Sequence, residues 1–197
     1  MKARERKLFE KCERYMECRN QRRLFALLTR NPDIINWLPE GGSSLLDRAV
    51  NWKLYVVVEW LLRRRADANL VCEGGDTPLI HTAAQNDHRM AELLIRFGAD
   101  IEKPNDQFET PLGFACAWQS VEVAKLLCEA GANVNGTEGW GASYLWGVQC
   151  WIERHPDDQR SVEIANILIA HGAKVIHEEP KLPPPPHNDG SQGTNEQ

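Results

Sequence analysis

The chain has 197 residues, 42% of them hydrophobic and 26% charged, with a formal net charge of −5 and a pI of about 5.7. These values suit a soluble domain with a sizeable core, and the acidic balance argues against nucleic acid as the main partner, because phosphate binding needs a basic surface. No apolar run reaches the length of a membrane span, and the opening MKARERKLFEKCERYMECRN lacks the apolar segment of a signal peptide, so a cytoplasmic protein without membrane contact is expected. Cys12, Cys18, Cys72, Cys116, Cys128 and Cys150 form no CxxC pair; buried thiols are expected in preference to disulfides, and a zinc site is not expected because no Cys/His cluster has ligand spacing along the chain.

Residues 2–30 read as two helices. Leu8, Cys12, Tyr15, Met16 and Arg19 recur at helical spacing, Leu24, Phe25, Leu27 and Leu28 supply a second apolar stripe, and Asn31 and Pro32 close it. Residues 1–23 hold nine Lys/Arg against four Asp/Glu, but the signs alternate along the helix. A solvated cap face accounts for this pattern, with a basic arm for nucleic acid as the competing reading. The cap, with the start of the first repeat, is expected over 1–36.

From residue 37 a period dominates. DTPLIHTAAQNDHRMAELLIRFGADIE (76–102) repeats as ETPLGFACAWQSVEVAKLLCEAGANVN (109–135), with Thr77 to Thr110 and Gly98 to Gly131 each 33 residues apart. Ser44 and Ser143 continue the step, and so does the line Asn36, Asn69, Glu102, Asn135. Each unit has a physical grammar: Ser or Thr caps a helix that Pro78 or Pro111 opens, a Leu- and Val-rich second helix follows, and Gly98, Gly131 or Gly172 ends it in a left-handed turn.

These motifs (TPL, A-x-x-LL, GADIE, GANVN) resemble the ankyrin repeat, whose period is the same. The resemblance covers about residues 20–176 and implies an all-α solenoid of about five helix pairs with β-turn fingers, the first and last pairs acting as caps and the repeats following the N-terminal cap over 37–176. Stacking buries faces that no single repeat could bury alone. It further implies a non-enzymatic module that binds a partner protein through the concave face and fingertips, as inhibitor, immunity-like antidote or adaptor. There are departures. Ile80 and Gly113 stand where the family has His after TPL, and Arg65 replaces the helix-ending glycine. The last unit is longer: Gly131 to Gly172 spans 41 residues, an insertion of eight, near 152–161, which Pro156, Asp157 and Asp158 place in the link between its helices. That insertion is either a contact loop or an elongation. The tail 177–197, with Pro183–Pro186, is expected to be disordered.

No constellation for catalysis or for a cofactor stands out. GWGAS (139–143) lacks the lysine of a phosphate loop, and Ser143, His155 and Asp157 have no triad spacing. His81 and His88 bracket a helix without the spacing of metal ligands. No cofactor and no metal are expected. The candidate partner-binding residues are Trp52, Gln85, Trp118 and Trp151, a column at the 33-residue step on the side of the first helices away from the expected core, together with Trp140 and the acidic finger residues Glu40, Glu73, Asp76, Asp106 and Glu109. Tryptophan buries much area at small entropic cost, and the acidic turns suit a monomer whose partner carries basic and exposed apolar residues. Two alternatives stay open: a small-ligand or enzymatic site beside the insertion, and nucleic-acid binding through the basic N-terminal helix.

Overall fold

A computed structural model describes residues 2–40, 42–72, 74–137 and 141–174. Glu73, Trp140 and the tail from 177 lie outside the described residues. Among the described residues ten α-helices follow one another: α1 (Lys2–Glu17), α2 (Gln21–Arg30), α3 (Leu45–Asn51), α4 (Tyr55–Arg63), α5 (Pro78–Ala84), α6 (His88–Arg96), α7 (Pro111–Ala117), α8 (Val121–Glu129), α9 (Tyr144–Arg154) and α10 (Gln159–Ala170). No strand occurs among the described residues; Thr137 and Ser143 form an isolated antiparallel bridge. Successive helices pair, α1 with α2 through to α9 with α10. The first members α3, α5, α7 and α9 form one row, and α6, α8 and α10 form a second. This is the all-α stack that the repeat implies.

The same polar devices start each first helix. Ser44 Oγ accepts from Asp47 N at 3.0 Å, Thr77 Oγ1 from Ile80 N at 3.3 Å, Thr110 Oγ1 from Gly113 N at 3.2 Å and Ser143 Oγ from Trp146 N at 3.3 Å. Pro78 and Pro111 sit in the first turn, where no amide is missed. After α4, α6, α8 and α10 the chain turns left-handed, at Arg65, whose φ is 64°, and at Gly98, Gly131 and Gly172. A side chain in that conformation costs about 1 kcal/mol relative to glycine. The reversal between the helices of the first four pairs is left-handed as well, at Arg19, Lys53, Asn86 and Gln119.

The core runs the length of the stack, with Leu61, Leu79, Leu94, Leu112, Leu127, Leu145 and Leu168 all fully buried. Polar side chains stitch the repeats together. Asn36 Nδ2 donates to Arg65 O at 3.0 Å and its Oδ1 accepts from Asp67 N at 2.8 Å; Asn69 does the same with Gly98 O (3.1 Å) and Asp100 N (2.7 Å). Glu102 Oε1 accepts from Asn133 N at 2.7 Å, and Asn135 joins Gly172 O and Lys174 N at 3.4 and 2.8 Å. The missing histidine at Gly113 has a packing reason. A Cβ there would lie 2.9 Å from Tyr144 Cε1, so glycine admits the fully buried Tyr144, whose hydroxyl lies 2.8 Å from Thr110 Oγ1.

In the last unit the insertion, which Pro156 placed in the link, is spread over both helices and the link. Compared with α7 and α8, four of the eight extra residues lengthen the first helix, one lengthens the link and three lengthen the second helix. Asp158 caps α10 and Trp151 turns onto it, so the extra sequence continues the helical stack.

Candidate functional site

Trp52, Gln85 and Trp118 are the residues that cap the C-termini of α3, α5 and α7. Each stands immediately before the left-handed residue of the helix-to-helix reversal. The column therefore lies at the opposite end of the first helices from the fingers, which precede their N-termini; a seven-residue helix separates the two by roughly 10 Å. Trp151 lies inside the lengthened α9.

The surroundings of the column differ from unit to unit. Trp118 is 60% exposed and stacks on Phe114 with ring centroids 6.2 Å apart. It lines a groove with Gln85, Asn86, Arg160 and Glu163. Gln85 is half-buried, its Nε2 donating to Asn51 Oδ1 at 3.2 Å. Trp52 is half-buried against the core, beside Met16, Glu17 and Arg19 of the N-terminal pair. Trp151 is half-buried; its Nε1 donates to Asp158 Oδ2 at 3.0 Å and its ring meets His155 at 4.1 Å. Burial opposes the ionisation of Asp158, but Ser161 Oγ, Trp151 Nε1 and backbone amides outweigh it and hold the carboxyl below its ordinary range.

At the fingers, Glu40 and Asp106 are exposed, and Asp76 and Glu109 are half-buried. Asn105, 5% exposed, organises the third finger: its Oδ1 accepts from Gln107 N and Glu109 N at 3.0 and 2.9 Å, and its Nδ2 donates to Asp76 Oδ1 at 2.9 Å. Neighbouring fingers touch through Asp106 N and Gly74 O, 3.1 Å apart. Burial, then the charge of Asp76, push the carboxyl of Glu109 up despite its bond to Asn105. The fingertip carries a residue outside the expected set. Phe108 is 72% exposed and left-handed at φ 63°. The sequence carries a signal for it, because left-handed Gly75 and Gly141 stand 33 residues to either side. An exposed aromatic ring at a position that favours glycine costs backbone strain with no burial in return.

Two other groupings differ from their sequence spacing. Ser143 and His155 cap opposite ends of α9, roughly 18 Å apart along the axis, so they do not form a triad with Asp157. Asp47, Cys72 and His81, distant in sequence and without ligand spacing, are brought together by stacking, with one ligand-capable atom from each within 4.8 Å of the others. Burial, then the carboxylates of Asp47 and Asp76, push the Cys72 thiol up to about 11.

No helix among the described residues is long and apolar enough to cross a membrane. The model of the family described as ankyrin repeats (3 copies) matches residues 46–138, the span from the first turn of α3 into the fourth finger. No curated protein matches the chain. Ankyrin repeats generally mediate protein–protein interaction and are typically non-enzymatic. The capped helix pairs, the 33-residue step and the family match agree that residues 46–138 carry ankyrin repeats.

Proposed function

We propose that this protein is a non-enzymatic module that binds a partner protein through the face of its first helices and through its fingertips, with Trp118 as the principal anchor. The observation that carries the reading is the exposure of Trp118 on a groove with Gln85, Arg160 and Glu163. A large, rigid ring left in water beside groups able to donate and accept hydrogen bonds is what interface anchors look like before binding. Phe108 supplies a second exposed ring at the fingertips, where Glu40, Asp76, Asp106 and Glu109 concentrate negative charge. That combination suits a partner with basic residues around exposed apolar side chains. Trp52 and Trp151 contribute through their exposed edges and by setting the ends of the column. The raised thiol of Cys72 supports the non-enzymatic reading, since the nucleophile of a Cys–His pair is a thiolate. A cytoplasmic setting suits the cysteine-rich, charged composition.

The test is to capture the partner from native extract, identify it by mass spectrometry, and measure the affinity of the purified pair. Trp118→Ser should weaken binding by about 2 kcal/mol or more if the ring is an anchor. Phe108→Ser, measured separately, reads the fingertips. Unchanged affinity in both variants removes the groove and the fingertip together.

A further inference from the structure

Asp47 lies in the first turn of α3, Cys72 in the following finger and His81 in the middle of α5. Asp47 is 1% exposed, and its oxygens meet His81 Nδ1 at 2.6 Å and Asn51 Nδ2 at 3.3 Å. Asp76 adds a second carboxylate, 3.7 Å from His81 Nε2. Among the described residues neither Asp47 nor Asp76 is in an ion pair with lysine or arginine. Two carboxylates and a thiol therefore lie around one imidazole. Burying a carboxylate is costly unless a cation or hydrogen bonds compensate it.

We propose that Asp47, Cys72 and His81 form a binding site for a divalent transition-metal ion of the zinc class, with a water at the fourth position. Sulfur, imidazole and carboxylate donors together suit zinc, whereas magnesium and calcium take oxygen donors. Tetrahedral zinc, with bonds of about 2.0–2.3 Å, sets its ligand atoms roughly 3.3–3.8 Å apart. The atoms here lie within 4.8 Å of one another, so closing on an ion takes a small inward shift, the opening of the His81–Asp47 hydrogen bond and the release of the Cys72 thiol from Asp76 O, to which it donates at 3.4 Å. The scaffold limits how else they can move. Ser44 Oγ holds Asp47 N at 3.0 Å, and the turn carrying Cys72 and Asp76 is tied by Cys72 N to Asp76 O (3.0 Å) and Gly75 N to Cys72 O (3.1 Å). Coordination releases the protons of the thiol and the ring. The bound ion joins α3, α5 and the finger between them.

The experiment uses the full chain, kept reduced and treated with chelator, then given zinc alone in calorimetry and cobalt(II) alone in absorption spectroscopy. One ion per chain, a thiolate-to-cobalt charge-transfer band, a rise in Tm with zinc, and protection of Cys72 from alkylation while the exposed Cys18 stays reactive are expected. Cys72→Ser should abolish the band, and both Cys72→Ser and His81→Gln should weaken binding by more than about tenfold; Cys18→Ser should change nothing. The absence of binding, an ion bound without a thiolate band, or unchanged affinity in both site variants overturns the site. Should a variant lose its helical circular dichroism, the wild-type alkylation decides: equal modification of Cys72 with and without zinc overturns it too.

Discussion

The column Asn36, Asn69, Glu102, Asn135 and the column Trp52, Gln85, Trp118, Trp151 run along the stack at the same step. In the first, Asn36, Asn69 and Asn135 each bond the carbonyl that ends one helix and an amide of the next arm, and Glu102 takes one amide. Its role repeats because both partners are backbone and recur with the repeat. In the second, each side chain meets whatever lies beside its own unit. The N-terminal pair covers Trp52, the lengthened α9 and its link cover Trp151, and Trp118 remains in the open between Gln85 and α10. A shared step settles where a residue stands; its burial follows from neighbours that need not repeat.

If this contrast is right, substitutions in the tryptophan column should fall into a gradient, with the asparagine column uniform across it. Trp52→Ala should have the largest effect, about 2 kcal/mol or more in urea unfolding, because a half-buried ring on the core leaves a cavity beside the N-terminal pair. A loss under about 0.5 kcal/mol would place Trp52 with the exposed residues and erase the gradient. Asn69→Ala should follow, at about 1–2 kcal/mol, since it orphans Gly98 O and Asp100 N together. Asn36→Ala should match it, and a much smaller loss there would break the uniformity claimed for that column.

Trp151→Phe comes next, at about 0.5–1.5 kcal/mol, through the lost Nε1 bond to Asp158. The pH dependence sharpens this. The carboxyl of Asp158 is held below its ordinary value in the fold, so its contribution is present at neutral pH and disappears as pH falls through the folded value. Wild type and Trp151→Phe should therefore converge in stability on acidification. A constant gap across that range would mean that the ring, and not its bond to the charged oxygen, accounts for the loss.

The fold was legible because its causes are local and periodic. Ser44, Thr77, Thr110 and Ser143 cap, Pro78 and Pro111 open, and Gly98, Gly131 and Gly172 close. The step of the asparagine column was visible as well, though its bonds were not, since they need the stack. What escaped depends on contacts between units of different shape. Trp151 finds Asp158 through an elongation that the pairs α3/α4, α5/α6 and α7/α8 lack, Asp47 meets His81 only across two repeats, and Gly113 makes sense only with Tyr144 in place. Phe108 differs from these: its place in line with Gly75 and Gly141 marks a left-handed position in the sequence itself, before any contact is known.

The smallest effect on stability belongs to Trp118→Ser. With 60% of the residue in water, what the fold gains from the ring is mainly its stacking on Phe114, and exposed positions usually change stability by less than about 0.5 kcal/mol. The backbone should be indifferent, because the amide of residue 118 still donates to Phe114 O at 2.9 Å and the left-handed turn falls on Gln119. Urea unfolding should give an unchanged midpoint and an unchanged slope. Gln85→Trp offers the converse: it fills the gap in the column at a half-buried place, gives up the bond to Asn51, and should cost more than Trp118→Ser although it adds an aromatic ring. A large loss at Trp118 would show that its ring supports the turn between α7 and α8, and the reason for reading it as a surface held for a partner would be gone.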